Sequence, residues 1–317
     1  MRSIFTLAIS GILSILSVAT FAQTQQVSFV KTAQQDACGF DHNHNQRLQN
    51  DAAYRERVDP NRQVVRNQLQ SGNIRSGADT LWVPIVFHVL HLGEAVGTTT
   101  NISDAQLQSS IDNMNDRYNG TIGTTADTKI QFFLPSRDED GNATTGIVRV
   151  NASSHTSGGD NYGTMGITDN NEQGVKALSK WDHNLYCNVW VVSEINNNGA
   201  GGGTQGYAYF PGAGPNVDGV VMLYNATGYD PTGALGYELK SFTNENTTLT
   251  HELGHYLDLY HTFEGDVDGT VCPTNVDCNN DGDEICDTQA HIRTINNCAG
   301  GAHACDVGSL LTSPTIT

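Results

Sequence analysis

The stretch TLTHELGHYLDLYHTF, residues 248–263, carries three histidines and a glutamate at spacings that can build a metal centre. His251 and His255 stand four residues apart, one helical turn, so on a helix both imidazoles project from the same face. Glu252 lies beside them. This is the H-E-x-x-H arrangement, in which two neutral imidazoles hold Zn²⁺ and the glutamate serves as general base toward a water activated there. His261 follows six residues after His255, too far along to share that face if the helix continues. The spacing therefore predicts that the helix ends near residue 258 and that the chain turns back. Asp258 stands at the turn, and aspartate tolerates the left-handed region at a cost of roughly 1 kcal/mol.

Positioning these groups requires a scaffold, and the texture of the chain supplies one. From Thr80, TLWVPIVFHVL has the β-branched and aromatic content of a buried strand. In NISDAQLQSSIDNMNDRYN, Leu107, Ile111, Met114 and Tyr118 fall on one helical stripe; Ser103 with Gln106 has the form of a capping box, and Ile102 with Leu107 sits at staple spacing. Further strands are predicted at 129–134, 147–150, 185–194, 206–210 and 219–224, with another helix over 171–180. Strands alternating with helices, ending in a helix through residue 251, give an α/β or α+β layered domain. Beyond Phe263 the periodicity is lost in a region of cysteine and aspartate.

Three segments precede or follow this frame. Residues 1–22, with Arg2 and an apolar run from Ile4 to Ala22, read as a secretory signal cleaved after Ala22. No other long apolar run occurs, so the expectation is a secreted protein with no membrane span in its mature form. Residues 23–79 are rich in Gln, Asn, Arg and Asp and read as a solvated, partly helical appendage, with a cleavable tract around Arg75. Export allows disulfides, and Cys272, Cys278, Cys286, Cys298 and Cys305 crowd into one short region, where Cys272 with Cys298 is the expected pair. Cys187, on a strand, is expected to be buried and reduced. Seven cysteines leave at least one thiol over. Asp277, Asn279, Asp281 and Asp283 have the alternate spacing of a calcium loop with Gly282 at its turn; the twelfth position is Thr288 rather than Glu, so the segment fits a structural Ca²⁺ site or a solvated acidic loop. A net charge of −18 and a pI near 4.7 exclude a nucleic-acid partner.

HELGHYLDLYHTF resembles the zinc signature of the pappalysin, or cytophagalysin, metzincins. LYCNVWVVSEI, GGGTQGYAYFPG, DGVVMLY and GDEICDT resemble family landmarks in family order, so the likeness covers most of the chain. It implies an α+β metzincin-like zincin domain with a twisted mixed sheet, an active-site helix and an irregular, disulfide-containing lower subdomain, spanning residues 80–317. It implies His251, His255 and His261 as zinc ligands and Glu252 as general base. Gly206, Tyr207, Ala208 and Tyr209 match the upper-rim strand whose edge pairs with an extended substrate. ACGFD at Cys38 resembles the latency segment of these zymogens, in which a thiolate takes the place of the catalytic water on zinc. Residues 23–79 would then be a propeptide. Two departures stand out: the family pattern has glycine at Asp258, and no methionine or tyrosine follows His261, where metzincins place a methionine turn. The second departure implies that more chain follows Thr317.

The expected function is a secreted zinc endopeptidase made as a zymogen, acting on proteins or peptides. Three alternatives stand beside it: a catalytically inactive binding or adhesion module, an inactive fragment of the protease, and a zinc hydrolase with a non-peptide substrate. A thermolysin-like ligand set, with Glu264 or Glu284 in place of His261, is a further variant of the metal site.

Overall fold

The computed structural model describes residues 37–71, 79–122, 126–267, 271–274, 276–293 and Cys305. The expected signal at 1–22, the cleavable Arg75 and Cys298 lie outside the described residues. In chain order the elements are α1 (Phe40–Asn50), α2 (Ala52–Gln70), β1 (Leu81–His91), α3 (Asp104–Tyr118), β2 (Ile130–Phe133), β3 (Ile147–Asn151), β4 (Thr156–Ser157), β5 (Asp160–Asn161), α4 (Tyr162–Met165), α5 (Glu172–Lys176), β6 (Cys187–Val192), β7 (Gly206–Ala208), β8 (Val220–Leu223) and α6 (Thr247–Tyr256). The architecture is α+β around one twisted mixed sheet.

That sheet runs β2-β1-β6-β8-β7, with β3 joined to the second half of β1. All pairings are parallel except β7 with β8. Parallel central strands are covered on both faces and so read as continuous apolar runs. All six residues of β6, CNVWVV, are buried, as are Ile85 to Leu90 of β1. Two polar groups inside this layer pair with each other: His88 Nε2 lies 2.8 Å from Asn188 Oδ1 while its ring stacks on Trp190. Cys187 is buried and unbridged, as expected.

The helix over 104–118 forms with Ile102, Leu107, Ile111 and Met114 buried. Only half of the capping box closes. Ser103 Oγ accepts from the Gln106 amide at 3.1 Å, but the Gln106 side chain turns away to donate to the Thr227 carbonyl at 2.7 Å, tying α3 to the loop after β8. The helix expected over 171–180 is shorter. After Lys176 the chain tightens into turns, Leu178 N to Val175 O and Ser179 N to Lys176 O, while the Lys176 ammonium is drawn inward to Val217 O at 2.6 Å and to Glu172 at 2.9 Å.

The largest correction concerns residues 40–70. They form two helices, and they are not a solvated appendage: Phe40, Tyr54 and Val58 are fully buried and belong to the main core cluster. Asp51 breaks the helices apart and caps the second through its side chain, which accepts from the Tyr54 amide at 3.0 Å. Among the described residues no helix is long and apolar enough to cross a membrane.

Candidate metal centre

Helix α6 packs against α3, β7 and β8, anchored by Leu249 and Leu253, both fully buried. It ends at Tyr256, and Asp258 takes φ +78°, the left-handed turn that the spacing demanded. The turn returns His261 to the other two histidines. The three Nε2 atoms stand 3.1, 3.2 and 3.2 Å apart.

Two of these rings have their tautomer set from behind. His255 Nδ1 donates to the Leu259 carbonyl at 2.7 Å, and His261 Nδ1 donates to Asp41 Oδ1 at 2.9 Å. Each therefore turns an Nε2 lone pair inward. Lone pairs facing one another at 3.2 Å repel unless a cation lies between them. Nitrogen ligands at about 2.0–2.1 Å from a tetrahedral Zn²⁺ stand about 3.3–3.4 Å apart, close to the spacing found. Burial and the neighbouring imidazoles push His251 down to about 4 and His255 down to about 2, so both are neutral, the form that ligates. The donor set fits zinc.

Cys38 stands at the fourth corner, its Sγ 3.5 Å from His255 Nε2 and 3.6 Å from Glu252 Oε2. All four groups, Cys38, His251, His255 and His261, gather within 4.8 Å. Burial, and then the Glu252 charge, hold the Cys38 thiol well above its ordinary range when no cation is present; the Phe40 amide opposes this by donating to its sulfur at 3.4 Å. Glu252 is fully buried, and burial raises its carboxyl to about 8. Its Oε1 has no hydrogen-bond partner among the described residues. Glu264 gathers instead with Asp41 and His261, and Glu284 is engaged by arginines; neither competes with His261 for the centre.

Strand β7, the expected rim strand, lies at the sheet edge, and the chain's own N-terminal segment pairs with it. Gly39 N donates to Gly206 O at 2.8 Å and Gln205 N donates to Ala37 O at 2.7 Å, placing Cys38 parallel to Gly206. Glycine at both positions leaves room for the side chains around them. A Cβ on Gly206 would stand 3.1 Å from Glu252 Cγ and 2.7 Å from Met222 Sδ, and one on Gly39 would stand 2.9 Å from Thr204 Cγ2. The strand is shorter than expected and ends at Ala208. Tyr207 and Tyr209 turn their hydroxyls inward, donating to the buried Glu172 carboxylate at 3.0 and 2.9 Å, where Arg47 also arrives at 2.5 Å.

Sequence reasoning missed Phe40, Asp41 and Arg62. Phe40 stacks on His255 with centroids 4.0 Å apart, and Asp41 orients His261. For Phe40 and Asp41 the signal was their place in the ACGFD segment around Cys38, whereas nothing in the type or spacing of Arg62 announces a partner at Asp258.

Among the described residues, the acidic loop gives the calcium reading no support. Asp281 accepts from the Val276 and Asp277 amides and Asp277 from Asn279 and Asn280, so these carboxylates cap turns of their own loop. Asp277, Asp281 and Asp283 do not converge within 4.8 Å of one another. The disulfides are Cys278 with Cys286 and Cys272 with Cys305. The expected Cys272 to Cys298 pair is thereby excluded, because the fold brings Cys305, with a Cα 5.6 Å away, to Cys272 instead.

Residues 155–313 match the model of the peptidase family described as pregnancy-associated plasma protein-A. An extracellular metalloprotease of Arthroderma otae is 32% identical over 167 residues, covering 46% of this chain and 52% of that protein. The chain thus spans about half the length of that relative. Among solved structures, a promirolysin mutant of Tannerella forsythia is similar with a TM-score of 0.55 and 28% identity, over 80% of this chain and 75% of that one. Mature mirolysin of the same organism, in complex with a cleaved peptide, is similar with a TM-score of 0.50 and 27% identity, over 67% and 72%.

Proposed function

Because the chain belongs to the pappalysin family of peptidases, the family of pregnancy-associated plasma protein-A, we propose that it is an exported zinc endopeptidase made as a latent precursor. The observation that carries this reading is the convergence of three Nε2 atoms, from His251, His255 and His261, beside a fully buried Glu252. Zinc held by these three imidazoles would supply Lewis acidity, drawing electrons from the scissile carbonyl and making the attacking water more acidic.

The protein's own groups do the rest. Glu252 takes the proton from the attacking water and returns it to the leaving amine; a carboxyl raised to about 8 by burial exchanges protons near neutral pH. The edge of β7 offers main-chain donors and acceptors to an extended peptide, and the pairing of residues 37–39 with Gln205 and Gly206 is the intramolecular version of that contact. Cys38 closes the centre in the precursor. A thiolate at its position occupies the corner that the attacking water needs, so residues 23–79 act as a propeptide. Export is supported by the extracellular relatives.

Glu252→Gln should keep its zinc, measured by elemental analysis, while peptide hydrolysis by the processed protein falls about 10²–10⁴-fold, the range for loss of a general base. Hydrolysis at the original rate would remove Glu252 from this role. Cys38→Ala should give an uncut precursor that is less latent than the parent; a precursor as silent as the parent would sink the thiolate switch.

A further inference from the structure

The departure at Asp258 has a partner in the N-terminal segment. Arg62 of α2 is almost completely buried, and its guanidinium lies 4.3 Å from the Phe210 ring centroid and 4.2 Å from that of Tyr260. Its Nη1 donates to Asp258 Oδ1 at 2.5 Å and to the Asp258 carbonyl at 3.2 Å, and its Nη2 donates to Glu284 Oε2 at 2.8 Å. One helical turn on, Arg66 Nε donates to the same Glu284 oxygen at 2.9 Å, and its Nη2 donates to Glu284 Oε1. Two aromatic faces, two carboxylates and a carbonyl thus surround one planar cation. This is a receptor for a guanidinium rather than for an ammonium, because the fork and the flat faces suit only the former.

The receptor is made by residues on the catalytic side. Phe210 follows the rim strand, Asp258 and Tyr260 lie in the turn between two zinc-site histidines, and Glu284 comes from the disulfide-closed loop. A glycine at 258 would make the turn without strain, yet aspartate holds φ +78° there. Its carboxylate and its carbonyl are both spent on Arg62, which accounts for an aspartate at that position.

We propose that Asp258, Glu284, Phe210 and Tyr260 form an arginine-binding site, separate from the zinc–thiolate contact, whose resident ligand is Arg62 and which keeps residues 37–71 bound after the chain has been cut. The inference rests on the reading of residues 23–79 as a removable segment. It makes cutting and release two events: hydrolysis near Arg75 opens the chain, and the segment leaves only when the arginine site lets go.

The test uses the full chain, zinc-loaded, in a Cys38→Ala background so that no sulfur contact remains, cut at Arg75 with a trypsin-like protease. Dissociation of the N-terminal fragment is followed by size exclusion and by the rate at which a labelled fragment exchanges. The fragment of the Cys38→Ala protein should co-elute with the remainder. Arg62→Gln and Asp258→Gly should each speed its dissociation at least tenfold, Arg62→Lys should behave like Arg62→Gln, and Arg62→Gln with Asp258→Gly together should go little further than Arg62→Gln alone, since the Asp258 side chain acts through Arg62. Asp258→Gly retains the turn, so an unchanged zinc content and melting temperature of the protein stripped of its fragment separate loss of the receptor from loss of the fold. Dissociation rates unmoved by both Arg62→Gln and Asp258→Gly overturn the proposal, as does a fragment that leaves the Cys38→Ala protein as fast as it leaves the Arg62→Gln variant. Peptidase activity is measured separately on cut protein stripped of its fragment: silence there counts against the removable-segment reading, while the dissociation rates still judge the arginine site.

Discussion

Asp41 donates nothing to the metal centre directly, yet it fixes how His261 can serve it. Its Oδ1 receives the His261 Nδ1 proton at 2.9 Å, which leaves Nε2 as the free base of the ring. The hydrogen bond to His261, followed by the His261 and Arg293 charges, holds the Asp41 carboxyl below its ordinary range against the opposing effect of burial. The same aspartate belongs to the segment that the proposed activation removes, so its influence should be confined to the precursor. Asp41→Asn should weaken zinc binding by the uncut chain about 10–100-fold, the usual cost of an outer partner to a ligand histidine. Competition against a chelating dye measures it. Protein stripped of the segment should bind zinc equally with or without the substitution made in the precursor; a precursor whose affinity does not move would deny Asp41 this part.

At the level of elements, α1 and α2 meet through His44, whose Nδ1 lies 2.8 Å from the Tyr54 hydroxyl while its ring packs on Phe40 and Phe210. Burial, then the charge of Arg62, lowers His44 to about 4. Between pH 6.5 and 4 the unfolded chain binds a proton here that the folded chain refuses, so the contribution is intact above about 6.5 and is lost as the pH falls toward 4. From pH 7 to pH 5 this amounts to about 2 kcal/mol. His44→Gln should therefore lose less of its urea midpoint than the parent over that interval, and equal losses would remove His44 as the acid-sensitive group. The joint itself was illegible in the sequence. Phe40, Tyr54 and Val58 are sparse apolar residues in a polar stretch, and the core they join is built from residues far along the chain, Phe40 meeting Phe210 and His255 and Tyr54 meeting Tyr209. The helix of residues 104–118 and the histidine spacing were legible for the opposite reason: a stripe and a turn are fixed by local geometry. Disulfide pairing lies between these cases, since composition marked the cysteine cluster but only the folded path chose Cys305 over Cys298 as the partner of Cys272.

Across the whole molecule, the N-terminal helices complete a core that the sheet and α6 leave open. Cys38 and Phe40 cover the metal centre, residues 37–39 cover the sheet edge, and Arg47, Arg57, Arg62 and Arg66 reach acceptors on the other side at Glu172, Ala213, Asp258 and Glu284. Glu172 is fully buried, and although burial alone would raise its carboxyl, Lys176 and Arg47 hold it below its ordinary range. Removing the segment takes one of these two cations away. It also returns three large side chains' worth of apolar contact to water, about 1.5–3 kcal/mol for each of Phe40, Tyr54 and Val58 before any repacking. For a domain of this size each kcal/mol moves the melting temperature by about 2–4 °C. The processed protein should therefore melt lower than the precursor by on the order of 10 °C when both carry zinc. Scanning calorimetry on precursor, cut but unstripped, and stripped protein distinguishes the steps. The cut form should melt near the precursor and only the stripped form should fall, because the loss follows the buried contacts and not the broken peptide bond. A stripped protein melting with the precursor would mean that the core closes without these helices, and that their burial is a covering rather than a support.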